Sequence, residues 1–107
     1  MPNKSTLMTR TVFALARGCG GSQLSDDAST WFHETYYPWI DQPRERAGGK
    51  SPLDVWDTEG GHFLSHFEEI GKRASARSSG GVIDRTVLET SALDVQNALS
   101  CPYCPDI

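Results

Sequence analysis

"GGHFLSHFEEIGKRASARSSGGVIDRTVLETSALDVQNALSCPYC" (residues 60–104) decides the fold. Phe63, Phe67, Ile70 and Ala74 recur at a helical period, which predicts a helix over about 59–77. Leu88, Ala92, Val95 and Leu99 do the same for a helix over about 84–99, with Asp84 as its N-cap. "SARSSGG" (75–81) breaks the chain between them. Two helices joined by so short a link become packed, antiparallel neighbours. Residues 62–77 and 84–99 are runs of equal length, each climbing roughly 22 Å at helical rise. The segment after the second helix is therefore expected back at the level where the first began.

That arithmetic joins two pairs of metal-ligating residues. His62 and His66 stand four apart on one helix, so both imidazoles share a flank. Cys101 and Cys104 stand three apart in a turn, and a proline after each stops the helix. Two imidazoles and two thiolates suit tetrahedral zinc rather than magnesium or calcium, which want oxygen ligands. The expectation is one closed, structural zinc site made of His62, His66, Cys101 and Cys104. The histidines precede the cysteines, the reverse of the common zinc-finger order.

Working outward, "WFHETYYPWI" (31–40) lies in a helix over about 26–37. Ser25 caps it, Asp26 and Asp27 suit its positive end, and Pro38 ends or kinks it. Its aromatics are either the core or, at Trp31 or Trp39, an exposed patch for a partner. Ser51-Pro52 reads as a cap and first position of a short turn through Trp56. Gly60 and Gly61 weaken the first turn of the next helix, and Gly71 its middle. A short helix over about 9–17 completes the set. No repeats, low-complexity tracts or long alternating segments appear; "GVID" (81–84) offers at most one or two extended residues. The fold class is all-α: a small helical bundle built on a C-terminal antiparallel α-hairpin, with zinc as its candidate stabiliser.

The chain has 107 residues, enough for one domain. Hydrophobic residues make up 37% of it, so core is scarce and a metal or partner would help. Residues 1–25 carry Lys4, Arg10 and Arg17 and no acid, and they read as a basic flexible arm. Residues 26–107 read as the single helical domain and hold all fourteen acids against seven Lys and Arg. An acidic body argues against nucleic-acid binding. No apolar run is long enough to span a membrane. Three cysteines are not a secreted disulfide framework, so the expected location is cytoplasmic, or organellar if residues 1–25 act as a transit segment.

"CPYC" (101–104) resembles the active-site motif of glutaredoxins, where it follows a strand and opens a helix. Here it follows a helix, no thioredoxin-like pattern accompanies it, and nothing beyond those four residues is carried over. Glu59 and His62 have the spacing of a di-iron ligand pair, but the second Glu-x-x-His is missing. There is no His-Glu-x-x-His, and "GGK" (48–50) lacks the rest of a phosphate loop. The balance is against an enzyme. The leading expectation is a zinc-stabilised interaction or regulatory module that meets a protein partner or a second copy. The alternative is thiol-redox or metal handling through Cys101 and Cys104.

Overall fold

The computed structural model describes residues 3–78, 80–99 and 102–105. Among these, the order is α1 (Lys4–Cys19), β1 (Gln23–Leu24), α2 (Asp26–Trp39), a short 3-10 turn (Glu45–Ala47), α3 (Trp56–Arg77), β2 (Val82–Ile83) and α4 (Arg85–Leu99). The all-α class holds.

Local sequence accounts for most helix ends. The Ser25 hydroxyl accepts from the Ala28 amide at 3.1 Å, opening α2. The Asp84 carboxylate accepts from Val87 at 2.9 Å, opening α4. Pro38 falls in the last turn of α2, which runs on to Trp39 instead of stopping at 37. A proline this late removes one backbone donor without breaking earlier turns. Ser51 and Asp54 cap each other: the Asp54 carboxylate accepts from the Ser51 amide at 2.9 Å, and the Asp54 amide donates to the Ser51 hydroxyl at 3.3 Å. The Ser51 amide bond comes first among the causes that lower the Asp54 pKa. This turn feeds α3, which begins at Trp56.

The N-terminal region departs from expectation. Residues 4–19 are a sixteen-residue helix, not a flexible arm. The Asn3 side chain caps it by accepting from the Thr6 amide at 2.8 Å. Leu7, Met8, Thr11, Ala14, Leu15 and Cys19 form a buried stripe, while Arg10, Phe13 and Arg17 face out. Burial pushes the Cys19 thiol pKa up, as suits a packing residue. The most extensive helix–helix contact is α1 on α3, ahead of α3 on α4.

That contact is made by glycines. A Cβ placed on Gly71 would lie 2.3 Å from the Leu15 carbonyl oxygen and 2.8 Å from the Cys19 amide. One placed on Gly18 would lie 1.9 Å from the Glu68 carbonyl oxygen. The two backbones touch because neither glycine has a side chain. Gly71 therefore costs helix propensity and returns a close packing contact.

The links α1–α2 and α3–α4 are built alike. Each holds a Gly-Gly pair, a two-residue strand and a capping residue. The strands lie side by side and parallel, Gln23 opposite Val82 and Leu24 opposite Ile83. The Gln23 amide donates to the Gly81 carbonyl at 2.8 Å, and the Ser25 amide to Ile83 at 2.9 Å. The core beneath is aromatic, with Trp31, Phe32, Tyr36, Trp39, Trp56, Phe63 and Phe67 all buried. Trp31 and Trp39 thus belong to the core and not to an exposed patch.

Two predictions follow from α1 and its glycines. Gly71→Ala and Gly18→Ala should each destabilise by roughly 3 kcal/mol, as overpacking against backbone does. Gly61→Ala, in open space on the same helix, should stabilise by about 0.5–1 kcal/mol; urea melts read all three. Residues 26–107 expressed alone should show lost near-UV signal and broad melting, because the stripe of α1 is missing. A cooperative transition for that fragment would restore the flexible-arm reading.

Candidate metal centre

Three elements converge around the third turn of α3. From α3 itself, Phe63 and Phe67 stand four apart and face the core, with His66 beside them at 6% exposure. From α2 come Tyr36 and Trp39. Trp39 packs edge-to-face on Phe63 and Phe67, with centroids 5.5 Å away in both cases. From the C-terminal tail come Tyr103 and Cys104.

The tail is held at several points. The Trp39 indole N–H donates to the Tyr103 carbonyl. The Arg46 guanidinium donates to the Cys104 carbonyl at 3.2 Å. The Tyr103 ring stands edge-on to Phe63 at 5.5 Å. Cys104 is 3% exposed. The tail has returned to the level of the α3 histidines, as the equal helix lengths require.

His66 and Cys104 line one cavity of about 10 Å³, walled by Tyr36, Trp39, Phe63 and Phe67. That is the scale of a single water or ion, far below the several hundred Å³ of a small-molecule pocket. The Nδ1 atom of His66 is buried with no hydrogen-bond partner among the described residues. An orphaned buried nitrogen costs free energy unless something meets it. Burial pushes the His66 imidazole down to about 4, and the His62 imidazole one turn away adds in the same direction. Burial also pushes the Tyr36 phenol up, with Cys104 adding to it, so these two groups face each other electrostatically.

Of the four residues expected at a zinc site, His66 and Cys104 come together. His62 is exposed and does not line the cavity. Cys101 lies outside the described residues. Among the described residues no three His, Cys, Asp or Glu side chains gather as a metal-ligand group. Sequence reasoning missed the parts played by Trp39, Tyr36 and Arg46. Trp39 and Tyr36 were visible only as core aromatics, and Arg46 sits in a loop whose path no local pattern fixes. The chain matches no family model, no curated protein and no solved structure. No helix among the described residues is long and apolar enough to cross a membrane.

The buried imidazole sets a pH dependence. Its pKa in the fold, about 4, lies below the ordinary 6.5. The unfolded chain therefore binds the proton more tightly, and acid favours unfolding. Metal-free protein should hold this stability above pH 6.5 and lose it as pH falls toward 4. The loss should approach about 3 kcal/mol, at ~1.4 kcal/mol per pH unit between the two values. Urea melts at pH 7 and pH 4.5 measure it, and His66→Phe should flatten this part of the slope.

Proposed function

We propose that the chain is a small helical interaction module whose C-terminal tail is stapled to α3 by one zinc ion. His66 and Cys104 are its anchoring ligands. His62, one helical turn before His66, and Cys101, three residues before Cys104, complete the set. The observation that carries this reading is the unpartnered Nδ1 of His66, buried on the same ion-sized cavity as Cys104. The donor chemistry agrees with it. Zinc takes neutral imidazole and ionised thiolate, and the low pKa of His66 keeps that ring neutral at pH 7. A bound zinc ion deprotonates the thiol that coordinates it, so the ion would supply the thiolate at Cys104.

Four protein ligands leave no position open for substrate or water, so this zinc is structural. Its work is to fix the tail across α2 and α3. The binding free energy adds directly to folding free energy. The thiol-redox alternative calls for an exposed, low-pKa thiol; Cys104, buried among aromatic rings, is not that thiol, and Cys101 lies outside the described residues.

Metal analysis of protein purified without added metal or a metal-binding tag should find about one zinc per chain. Cys104→Ser and His66→Ala should both lose it. Both should melt lower by about 10 °C or more, at roughly 4–8 °C per kcal/mol for a domain of this size. Parent protein that is found to hold no metal as purified, and whose two variants melt no lower than it does, overturns the staple. Reversible oxidation of the parent to a disulfide between Cys101 and Cys104, seen as loss of two hydrogens by mass, would establish the redox alternative.

A further inference from the structure

The C-terminal tail is held largely by groups that any peptide carries. Two consecutive carbonyls, those of Tyr103 and Cys104, accept from side chains of the body. The donors are the Trp39 indole N–H and, at 3.2 Å, the Arg46 guanidinium. Both address main-chain oxygens, which do not depend on side-chain identity. Few tail side chains enter the seat. The Tyr103 ring stands edge-on to Phe63. Cys104 and Pro105 are buried, and they share one small cavity with Tyr36, Trp39 and His66.

The seated segment is Pro102-Tyr103-Cys104-Pro105, with proline at its first and fourth positions. Proline fixes φ and brings no N–H that needs a partner. A segment so restrained loses little conformational freedom when it is seated. Aromatic-lined grooves take Pro-x-x-Pro segments from other chains for this reason. Here Pro102 and Tyr103 form a turn, so the seat fits a turned segment rather than a continuous polyproline helix. Lifting the tail bares faces of Trp39 and Phe63, which are 3% and 2% exposed with the tail in place. An aromatic patch uncovered in this way is a surface that calls for a partner.

We infer that the seat formed by α2, the 3-10 turn and α3 is a peptide-binding site, plugged in cis by the chain's own tail and open in trans to a Pro-x-x-Pro segment of another protein. The occupant's chemistry is set by the segment that the structure shows to fit: proline, an aromatic residue, a small residue and a second proline. The tail competes at an effective concentration in the roughly millimolar range, so it acts as a plug that a partner must displace. This rests on the interaction half of the reading above. Zinc at His66 and Cys104 would tighten the plug, but the seat does not need it.

The probe is a fluorescent peptide of residues 100–107 with Cys101→Ala and Cys104→Ala, which cannot hold metal through thiolates; a chelator is present throughout. The full chain carrying Cys104→Arg cannot seat its own tail, because the cavity beside Cys104 has about 10 Å³ of room. Fluorescence anisotropy should show this variant binding the peptide about tenfold or more tightly than the parent does. Adding Arg46→Met, which removes a donor and keeps the stem, should weaken binding about tenfold. In the parent, excess peptide should speed hydrogen exchange in the chain's own tail, a readout that does not depend on how the variant folds. A folded Cys104→Arg chain that ignores the peptide, binding indifferent to Arg46→Met, or parent tail exchange unchanged at millimolar peptide overturns the inference. Metal analysis of the parent as purified separates this from the staple. A zinc-free parent whose seat takes the peptide in this pattern overturns the staple alone. A zinc-loaded parent whose folded Cys104→Arg variant ignores the peptide overturns the seat alone.

Discussion

The bare backbone contact between α1 and α3 is the constraint on which the rest of the molecule depends. With hydrogen in place of Cβ at Gly18 and Gly71, the two helices touch at the Leu15 and Glu68 carbonyls. Helices packed through ordinary side chains stand 8–10 Å apart, and contact of main chain with main chain brings them nearer the lower limit. That approach packs α1 along α3 and joins the two halves of the chain. Nearby ion pairs decorate the seam at its solvent edge, Arg17 and Lys72 both reaching Glu68. Exposed pairs of this kind contribute little; the close packing beneath them is what holds the seam.

A second layer rests on the first. Once α3 is fixed, its Phe63 and Phe67 present edges and faces to Tyr36 and Trp39 of α2, in a run of mostly edge-to-face contacts. Such pairs suit the ring quadrupole and add to the burial of area. The indole N–H of Trp39, which needs a partner when buried, finds the tail's Tyr103 carbonyl. The same residue that fills the core thereby also seats Cys104 over His66. Packing and candidate chemistry share side chains here, so a change at Trp39 touches both.

What the sequence made legible was whatever is local. Ser25 and Asp84 announced their caps because an N-cap needs only its own helix. The stripe Phe63–Phe67–Ile70–Ala74 announced its face by period alone. The return of the tail to His66 followed from equal helix lengths, which is geometry along one chain. What stayed hidden was whatever depends on distant partners. Gly71 looked like a weakness because its partners are fifty-two to fifty-six residues away, at Cys19, Gly18 and Leu15. α1 looked like an arm because its basic charge is local, whereas the burial of its stripe depends on the distant α3. β1 and β2 are two residues each and exist only as a pair. The exposure of His62 depends on how α3 is rolled against α1, which no ligand spacing reveals.

The strand pair has a consequence for the speed at which the molecule assembles. Gln23 binds Gly81 and Ser25 binds Ile83, so two hydrogen bonds close a loop of nearly sixty residues. Small helical bundles fold fast when their contacts join sequence neighbours, and the rate falls as contacting residues lie farther apart. Here the strand pair and the glycine seam both tie the first quarter of the chain to its second half. Loop-closure entropy is spent before either contact repays it. This chain has the secondary structure of a fast folder and the connectivity of a slower one. By that connectivity, bringing the two helix–link–helix halves together is the costly step in chain entropy, more so than the growth of any helix.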